Sequence, residues 1–210
     1  MQTITTPLRM GFGALRVLND DTIAPGKGFG THPHQNMEIV TIVLTGALAH
    51  KDTMGNSSTI QAGEVQRMSA GTGVAHSEFN ASPTDLVKLL QIWIFPHESG
   101  ILPSYDQKKF SWKEQVGRTL LVSPDGRDGT LAIHQQAYFG IDFIKNGQKL
   151  SYLPHQSNHG VFGFIIDGEF EIDGENAKTR DAVAWNPGET IQGLCKRDGH
   201  CLWIEVPMEI

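Results

Sequence analysis

Short runs of apolar residues, cut at intervals by Gly, Pro, Asn and Asp, follow one another along the whole chain. His34, Glu38, Val40, Ile42 and Leu44 share a parity, so residues 34–44 read as a strand with one buried face. Gly46 ends that run and Ala47 to Lys51 reads as a returning strand, which together make a hairpin before the turn at Met54-Gly55-Asn56-Ser57-Ser58. Ile60, a turn at Ala62-Gly63-Glu64 and the run from Val65 to Met68 lead into Ala70-Gly71-Thr72-Gly73, whose glycines permit sharp bends. Leu86 to Phe95 is the longest candidate. Its Val87, Leu89, Leu90, Ile92, Trp93 and Ile94 occupy both parities, which predicts a strand covered on both faces.

From His97 to Val116 the apolar density falls, and Pro96, Gly100 and Pro103 punctuate a polar stretch that reads as a connector holding at most short helices. The cadence then restarts with Thr119-Leu120-Leu121-Val122, a turn at Pro124-Asp125-Gly126, and Leu131-Ala132-Ile133. Gly160 to Ile172 reads as a hairpin closed by Asp167-Gly168, a pair suited to a two-residue turn, and Asp173-Gly174 offers a second. Few windows hold apolar residues at spacings of three and four. The expectation is an all-β protein of two units, residues 1–115 and 116–210.

Composition agrees with this reading and excludes several functions. A chain of 210 residues with 39% hydrophobic and 19% charged residues, 23 Gly and 10 Pro has enough apolar material for a core and many turns. The net charge of −6 and the lack of a basic stripe argue against direct nucleic-acid binding. Cys195 and Cys201 are too few for a disulfide scaffold and are expected as thiols. No apolar run approaches the roughly 20 residues of a membrane span, and the first residues carry no signal-peptide pattern, so the cytoplasm is the expected compartment.

The chemistry concentrates in His32-Pro33-His34 and His76-Ser77-Glu78. In a strand, residues i and i+2 project to one face, so each triplet is a pincer of two ligands. Three imidazoles and one carboxylate suit a transition metal, whereas Ca and Mg favour oxygen donors. His50, His97, His134 and His200 lack a partner at strand spacing and read as surface or core residues. Trp93, Trp112, Trp185 and Trp203 read as core packing.

Gly26, His32-Pro33-His34, Glu38 and Gly46 resemble the first cupin motif, and Gly63, Gly71, His76 and Asn80 resemble a looser form of the second. More specifically, Gly30-Thr31-His32-Pro33-His34, Met68-Ser69-Ala70-Gly71-Thr72-Gly73 and His76-Ser77-Glu78 are similar to the pirin family of bicupins, as are Leu90-Gln91-Ile92-Trp93-Ile94 and Ser123-Pro124-Asp125. The resemblance implies two jelly-roll cupin β-barrels packed together, with only the first keeping a metal, held by His32, His34, His76 and Glu78. Glu38 stands where many cupins place their carboxylate ligand and is the rival to Glu78. His155 and His159 in the second half lack the His-x-His spacing. Relatives usually carry a longer N-terminal segment, so whatever it covers is expected to be more open here.

The implied activity is metal-dependent dioxygenation of a flavonol such as quercetin, with dioxygen as co-substrate. Iron is the first metal to consider, with Mn, Ni, Cu, Co or Zn as alternatives. Glu78 is the candidate catalytic residue, a carboxylate placed to accept the flavonol hydroxyl proton. The other implied reading is a metal-bearing regulatory protein that acts through a protein partner without turnover.

Overall fold

The computed structural model describes residues 11–209, which form two compact units. One comprises residues 17–111 and 121–136. The other comprises residues 11–16, 112–120 and 137–209. The chain passes between them within β1 (Leu15–Ile23) and within β10 (Gly117–Ser123). Among the described residues, the helical content is a single 3-10 turn at Arg127–Gly129, and no helix is long and apolar enough to cross a membrane.

The first unit contains β2 (Gly28–His34), β3 (Glu38–Thr45), β4 (Ala47–Asp52), β5 (Ser57–Gln61), β6 (Glu64–Ser69), β7 (Val74–Asn80), β8 (Val87–Ile94) and β9 (Ser104–Lys109). Two sheets result, one ordered β1-β8-β3-β6-β9 and one ordered β2-β7-β4-β5. Ile23, Val43 and Leu89 from the first pack against Leu48 and Ile60 from the second, closing an apolar core between them.

Three readings of the sequence change here. His34 ends β2, and the strand that follows begins at Glu38 and is buried on both faces through Leu44. Its parity pattern is therefore not that of a half-exposed strand; Thr41 and Glu38 are simply polar groups inside the core. β3 and β4 do not form a hairpin, because β3 pairs with β6 and β8 whereas β4 pairs with β5 and β7. Gly46, at φ 77, carries the chain from one sheet to the other; a Cβ there would lie 2.7 Å from the Leu86 carbonyl oxygen. The polar stretch after His97 includes a strand, β9, that pairs along β6, its alternating Tyr105 and Gln107 lying inward of exposed Asp106 and Lys108. Val87 to Ile94 is covered on both faces, as its apolar run predicts.

The second unit is built on β10 (Gly117–Ser123), β12 (Tyr138–Ile144), β13 (Lys149–Tyr152), β14 (His159–Ile172), β15 (Glu175–Lys178), β16 (Ala182–Trp185) and β17 (Ile191–Pro207), with β11 (Leu131–Ala132) belonging to the first unit. Its core gathers Trp203, Phe170, Trp185, Ile165 and both cysteines, which are free thiols. Gly160 to Ile172 is one long strand, not a hairpin. Its Asp167-Gly168 pair makes a bulge against β17, where Gly168 and Gly199 approach so closely that a Cβ on either would lie 2.6 Å from the other's Cα. The Asp167 carboxylate accepts the His200 backbone N–H at 2.9 Å, which holds the bulge in line with the partner strand. The turn falls instead at Asp173-Gly174, both at positive φ, where β14 folds back on β15.

Candidate metal centre

β7 lies between β2 and β4, and its register does most of the work. His32 is directly opposite His76, and Phe29 is opposite Glu78, with an irregularity between Phe29 and His32 that re-aims the two histidines of β2. On the other side, His50 is opposite Glu78 and Asp52 is opposite His76. Directly opposed residues share a face, and so do residues i and i+2. Three pincers, His32/His34, His76/Glu78 and His50/Asp52, therefore project from one face of the sheet. The close pairing depends on Gly28, where a Cβ would lie 2.1 Å from the Glu78 carbonyl oxygen.

One donor atom each from His32, His34 and His76 lies within 4.8 Å of the others, and His50, His76 and Glu78 form a second such set. His76 is common to both. Donors about 2.1 Å from one ion stand about 3 Å apart when adjacent and about 4.2 Å when opposite; the His32 and His76 Nε2 atoms meet the adjacent spacing, and His76 links their set to the one that holds Glu78. The three rings of the first set have centroids 4.5–4.9 Å apart.

The protonation pattern suits a metal. The Gly30 carbonyl oxygen, which can only accept, sits 2.8 Å from His32 Nδ1, so that nitrogen carries the hydrogen and Nε2 keeps its lone pair. That Nε2 is 3.1 Å from His76 Nε2. Burial, reinforced by the neighbouring imidazoles, pushes His34 down to about 4 and His76 down to about 3, so both rings are neutral at ordinary pH. Among the described residues, His34 Nε2, His76 Nδ1 and Glu78 Oε1 are buried without a hydrogen-bond partner. Buried polar atoms rarely go unsatisfied, and neutral imidazoles beside an unpartnered carboxylate oxygen are the donor set a transition metal takes.

Glu78 is almost fully buried, which raises its pKa, although the Gln91 amide opposes that shift. Gln91 Nε2 donates to Glu78 Oε2 at 2.7 Å, and Trp93 Nε1 donates to Gln91 Oε1 at 3.2 Å. The Trp93 indole also stands edge-on to His34, with centroids 5.0 Å apart. Glu38 belongs to neither donor set. It lies on β3 in the other sheet, where Oε2 accepts from Ser69 Oγ at 2.8 Å and from the His134 backbone at 3.3 Å.

Two features escape a reading that looks only for histidine pairs and carboxylate ligands. His50 is buried and has a partner at strand spacing after all, since its Nε2 lies 3.1 Å from Asp52 Oδ2. The His-x-Asp triplet was the available signal. Trp93 is half-buried beside His34 and is not simple core packing, unlike Trp112, Trp185 and Trp203, which are buried in the second unit. Polar Gln91 inside an apolar strand marks the same place. His97 and His134 lie on the surface with stacked rings, and His200 is held by Asp167. In the second unit His155 and His159 both place Nδ1 on the buried Glu205 carboxylate, at 2.7 and 3.0 Å, and Tyr152 donates to the same group at 2.9 Å.

Comparison with known proteins bears on the whole chain. Residues 2–94 match the Pirin family model, and residues 120–206 match that of the quercetinase C-terminal cupin domain. A quercetin 2,3-dioxygenase of Escherichia coli K12 is 43% identical over 202 residues, covering 96% of this chain and 86% of that protein. A putative quercetin 2,3-dioxygenase of Pasteurella multocida is 50% identical over 188 residues, covering 89% and 80%. Among solved structures, the bacterial pirin YhhW from Escherichia coli in complex with nickel(II) superimposes with a TM-score of 0.92 at 40% identity, covering 100% of this chain and 89% of that one. With relatives this similar over nearly its full length, and with both barrels matched, the chain belongs to the pirin family of two-barrel cupin proteins.

Proposed function

We propose that this protein is a metal-dependent dioxygenase acting on a flavonol of the quercetin type, with one divalent transition metal held by His32, His34, His76 and Glu78. The observation that carries the reading is the shared face of β2 and β7, where the His32, His34 and His76 donors gather and His76 also joins a buried Glu78 carboxylate whose Oε1 has no well-formed hydrogen bond. The dioxygenase names of relatives 43% and 50% identical, and the nickel complex of a relative, support it from outside. Iron is the first metal to test, ahead of Mn, Ni, Cu, Co and Zn, and the cytoplasm is the compartment we assign.

A metal bound there supplies a Lewis acid that binds an oxygen-donor substrate and brings it together with dioxygen. The chain supplies the rest. His32, His34 and His76 point their imidazoles toward one place, burial keeps those of His34 and His76 neutral, and the Gly30 carbonyl accepts from His32 Nδ1 and so leaves its Nε2 as the ligating atom. Glu78 Oε1 accepts the proton of the flavonol 3-hydroxyl, making the oxygen electron-rich before it meets dioxygen.

The test is metal analysis of the purified protein followed by oxygen-uptake measurements with quercetin, alongside Glu78→Gln. The variant keeps the shape but loses both the base and the anionic metal ligand, so uptake, measured per bound metal, is expected to fall at least a hundredfold. Metal-loaded wild type that consumes no oxygen across a flavonol panel refutes the enzyme reading.

A further inference from the structure

Glu78 has two oxygens in different situations, and neighbouring groups decide which is which. The Trp93 indole N–H can only donate, so the end of the Gln91 amide that faces it, at 3.2 Å, is the oxygen. The NH2 end is thereby turned to Glu78, where it donates to Oε2 at 2.7 Å. Oε2 is engaged as an acceptor, and Oε1 is buried without a hydrogen bond of standard geometry, with the Gln66 amide the other group near enough to the carboxylate to lower its pKa. The direction of the chain, indole to amide to carboxylate, is fixed at its outer end by a group with no alternative polarity.

Trp93 also meets the other pincer. Its ring stands at 83° to the His34 ring with centroids 5.0 Å apart, an edge-on packing that restricts the rotation of that imidazole. Both residues come from β8, in the sheet facing the one that carries the donors, and they rise from alternate positions on one face of that strand. Thr41 on β3 pairs with Gln91, so the amide sits mid-sheet with little freedom to withdraw.

We infer that Gln91 and Trp93 are positioning residues that select Glu78 Oε1 as the working oxygen and hold the His-x-His and His-x-Glu pincers in register with each other. The inference rests on the metal reading above and extends it to two residues that touch no metal. Gln91 acts through Glu78, and Trp93 acts through both Gln91 and His34. Without the Gln91 amide, the carboxylate loses its one well-formed hydrogen bond, only the more weakly placed Gln66 amide remains beside it, and either oxygen can face the histidines. Without the indole N–H, the amide is free to turn its oxygen toward Glu78, setting acceptor against acceptor.

Co2+ is the probe, because its visible d–d spectrum reports ligand type and geometry while its affinity is read in the same titration. Gln91→Leu and Trp93→Phe are compared with wild type by Co2+ titration, thermal melting and the quenching of tryptophan fluorescence on metal binding. Gln91→Leu is expected to bind Co2+ 10- to 100-fold more weakly with a changed d–d spectrum, the usual scale for partners of a metal ligand. Trp93→Phe, which keeps a ring against His34, is expected to lose less, and to lose the metal-dependent quenching. Combining the two is expected to cost no more than Gln91→Leu alone, since the indole N–H works only through the amide. A purely structural role would lower the melting temperature and leave the Co2+ spectrum of the folded protein unchanged, and that result overturns the inference. Should Gln91→Leu not fold, Gln91→Met, an unbranched chain of similar length, carries the same comparison. A wild type that takes up no Co2+ overturns the metal reading and this inference with it. Wild-type uptake matched in spectrum and affinity by Gln91→Leu overturns this inference alone.

Discussion

Replacing His76 by Ala separates the metal's contribution to stability from that of packing. His76 is 1% exposed and is the residue common to both donor sets. Without metal, two effects of the substitution oppose each other. Truncating a buried ring forfeits packing worth about 2–3 kcal/mol. The lost ring also removes a buried Nδ1 with no partner, a group whose burial costs about 1–3 kcal/mol. The two nearly cancel, and the net loss in the metal-free protein is about 0–1 kcal/mol. The metal-bound protein behaves differently. An ion at a hundred times its Kd adds about 2.7 kcal/mol to whatever it binds only when folded. The unit carrying the site has about 110 residues. At about 2.1 cal/mol/K per residue its unfolding entropy is about 0.23 kcal/mol/K, so that increment raises its melting temperature by about 12 °C. Calorimetry of chelator-treated protein with and without Ni2+ reads both quantities. Wild type is expected to gain about 12 °C in the transition of the first unit, and His76→Ala to gain almost nothing from the same excess. A variant that keeps the full metal shift, or a wild type stabilised only in the other unit, refutes the assignment of donors to this face.

Three further outcomes follow from the same structure. His34 and His76 titrate near 4 and 3 when folded but near 6.5 when unfolded, so the unfolded chain binds more protons in between. The stability of the metal-free protein is therefore full above pH 6.5 and is lost as the pH falls toward 4 and 3; urea midpoints across this range should slope less in a His34→Ala/His76→Ala double variant, and equal slopes would refute the shifts. Gly28→Ala puts a Cβ 2.1 Å from the Glu78 carbonyl oxygen and forces β2 away from β7, so it should cost about 1–3 kcal/mol and weaken Ni2+ binding at least tenfold by titration calorimetry. Gly174→Ala strains a turn residue at φ 85 and should cost about 1–2 kcal/mol in the second unit while leaving the Ni2+ titration unchanged.

What the sequence conveyed well was local. A strand's two-residue period depends only on the backbone, so His32/His34 and His76/Glu78 could be paired without knowing what surrounds them. The Asp173-Gly174 turn was legible for the same reason, as a requirement for positive φ that the pair meets cheaply. What failed was non-local. Gly46 ends a strand equally well whether the chain returns beside it or crosses to another sheet, and only the pairing of β3 with β6 and β8 decides between them. Asp167-Gly168 satisfies a tight turn and a bulge alike, and the outcome depends on Gly199, thirty-one positions downstream, coming against Gly168. Gln91 and Trp93 looked like members of an apolar strand because their partners, Glu78 and His34, reach them from the facing sheet. Polar residues interrupting a strand buried on both faces were the trace of that contact.

Two buried glutamates beside histidines, Glu78 and Glu205, show why identical residue types in the two units have different chemical prospects. Glu205 is fully buried, and its oxygens accept from His155 Nδ1, His159 Nδ1, Tyr152 Oη and the backbone N–H groups of His155 and Gln156. Every direction in which it accepts is already filled by a donor from its own chain. Any proton or cation brought to it must displace one of these, so the group acts as a fastening for residues 152–159. Glu78 accepts from Gln91 on one oxygen and has no well-formed hydrogen bond on the other, which only the Gln66 amide approaches, while His34 and His76 also hold unpartnered nitrogens. Leaving such groups unsatisfied inside a core costs stability, about 1–3 kcal/mol each. A fold keeps that cost where something outside the chain relieves it, and so the unsatisfied cluster, rather than the count of histidines, marks the first unit as the place where ligand chemistry occurs.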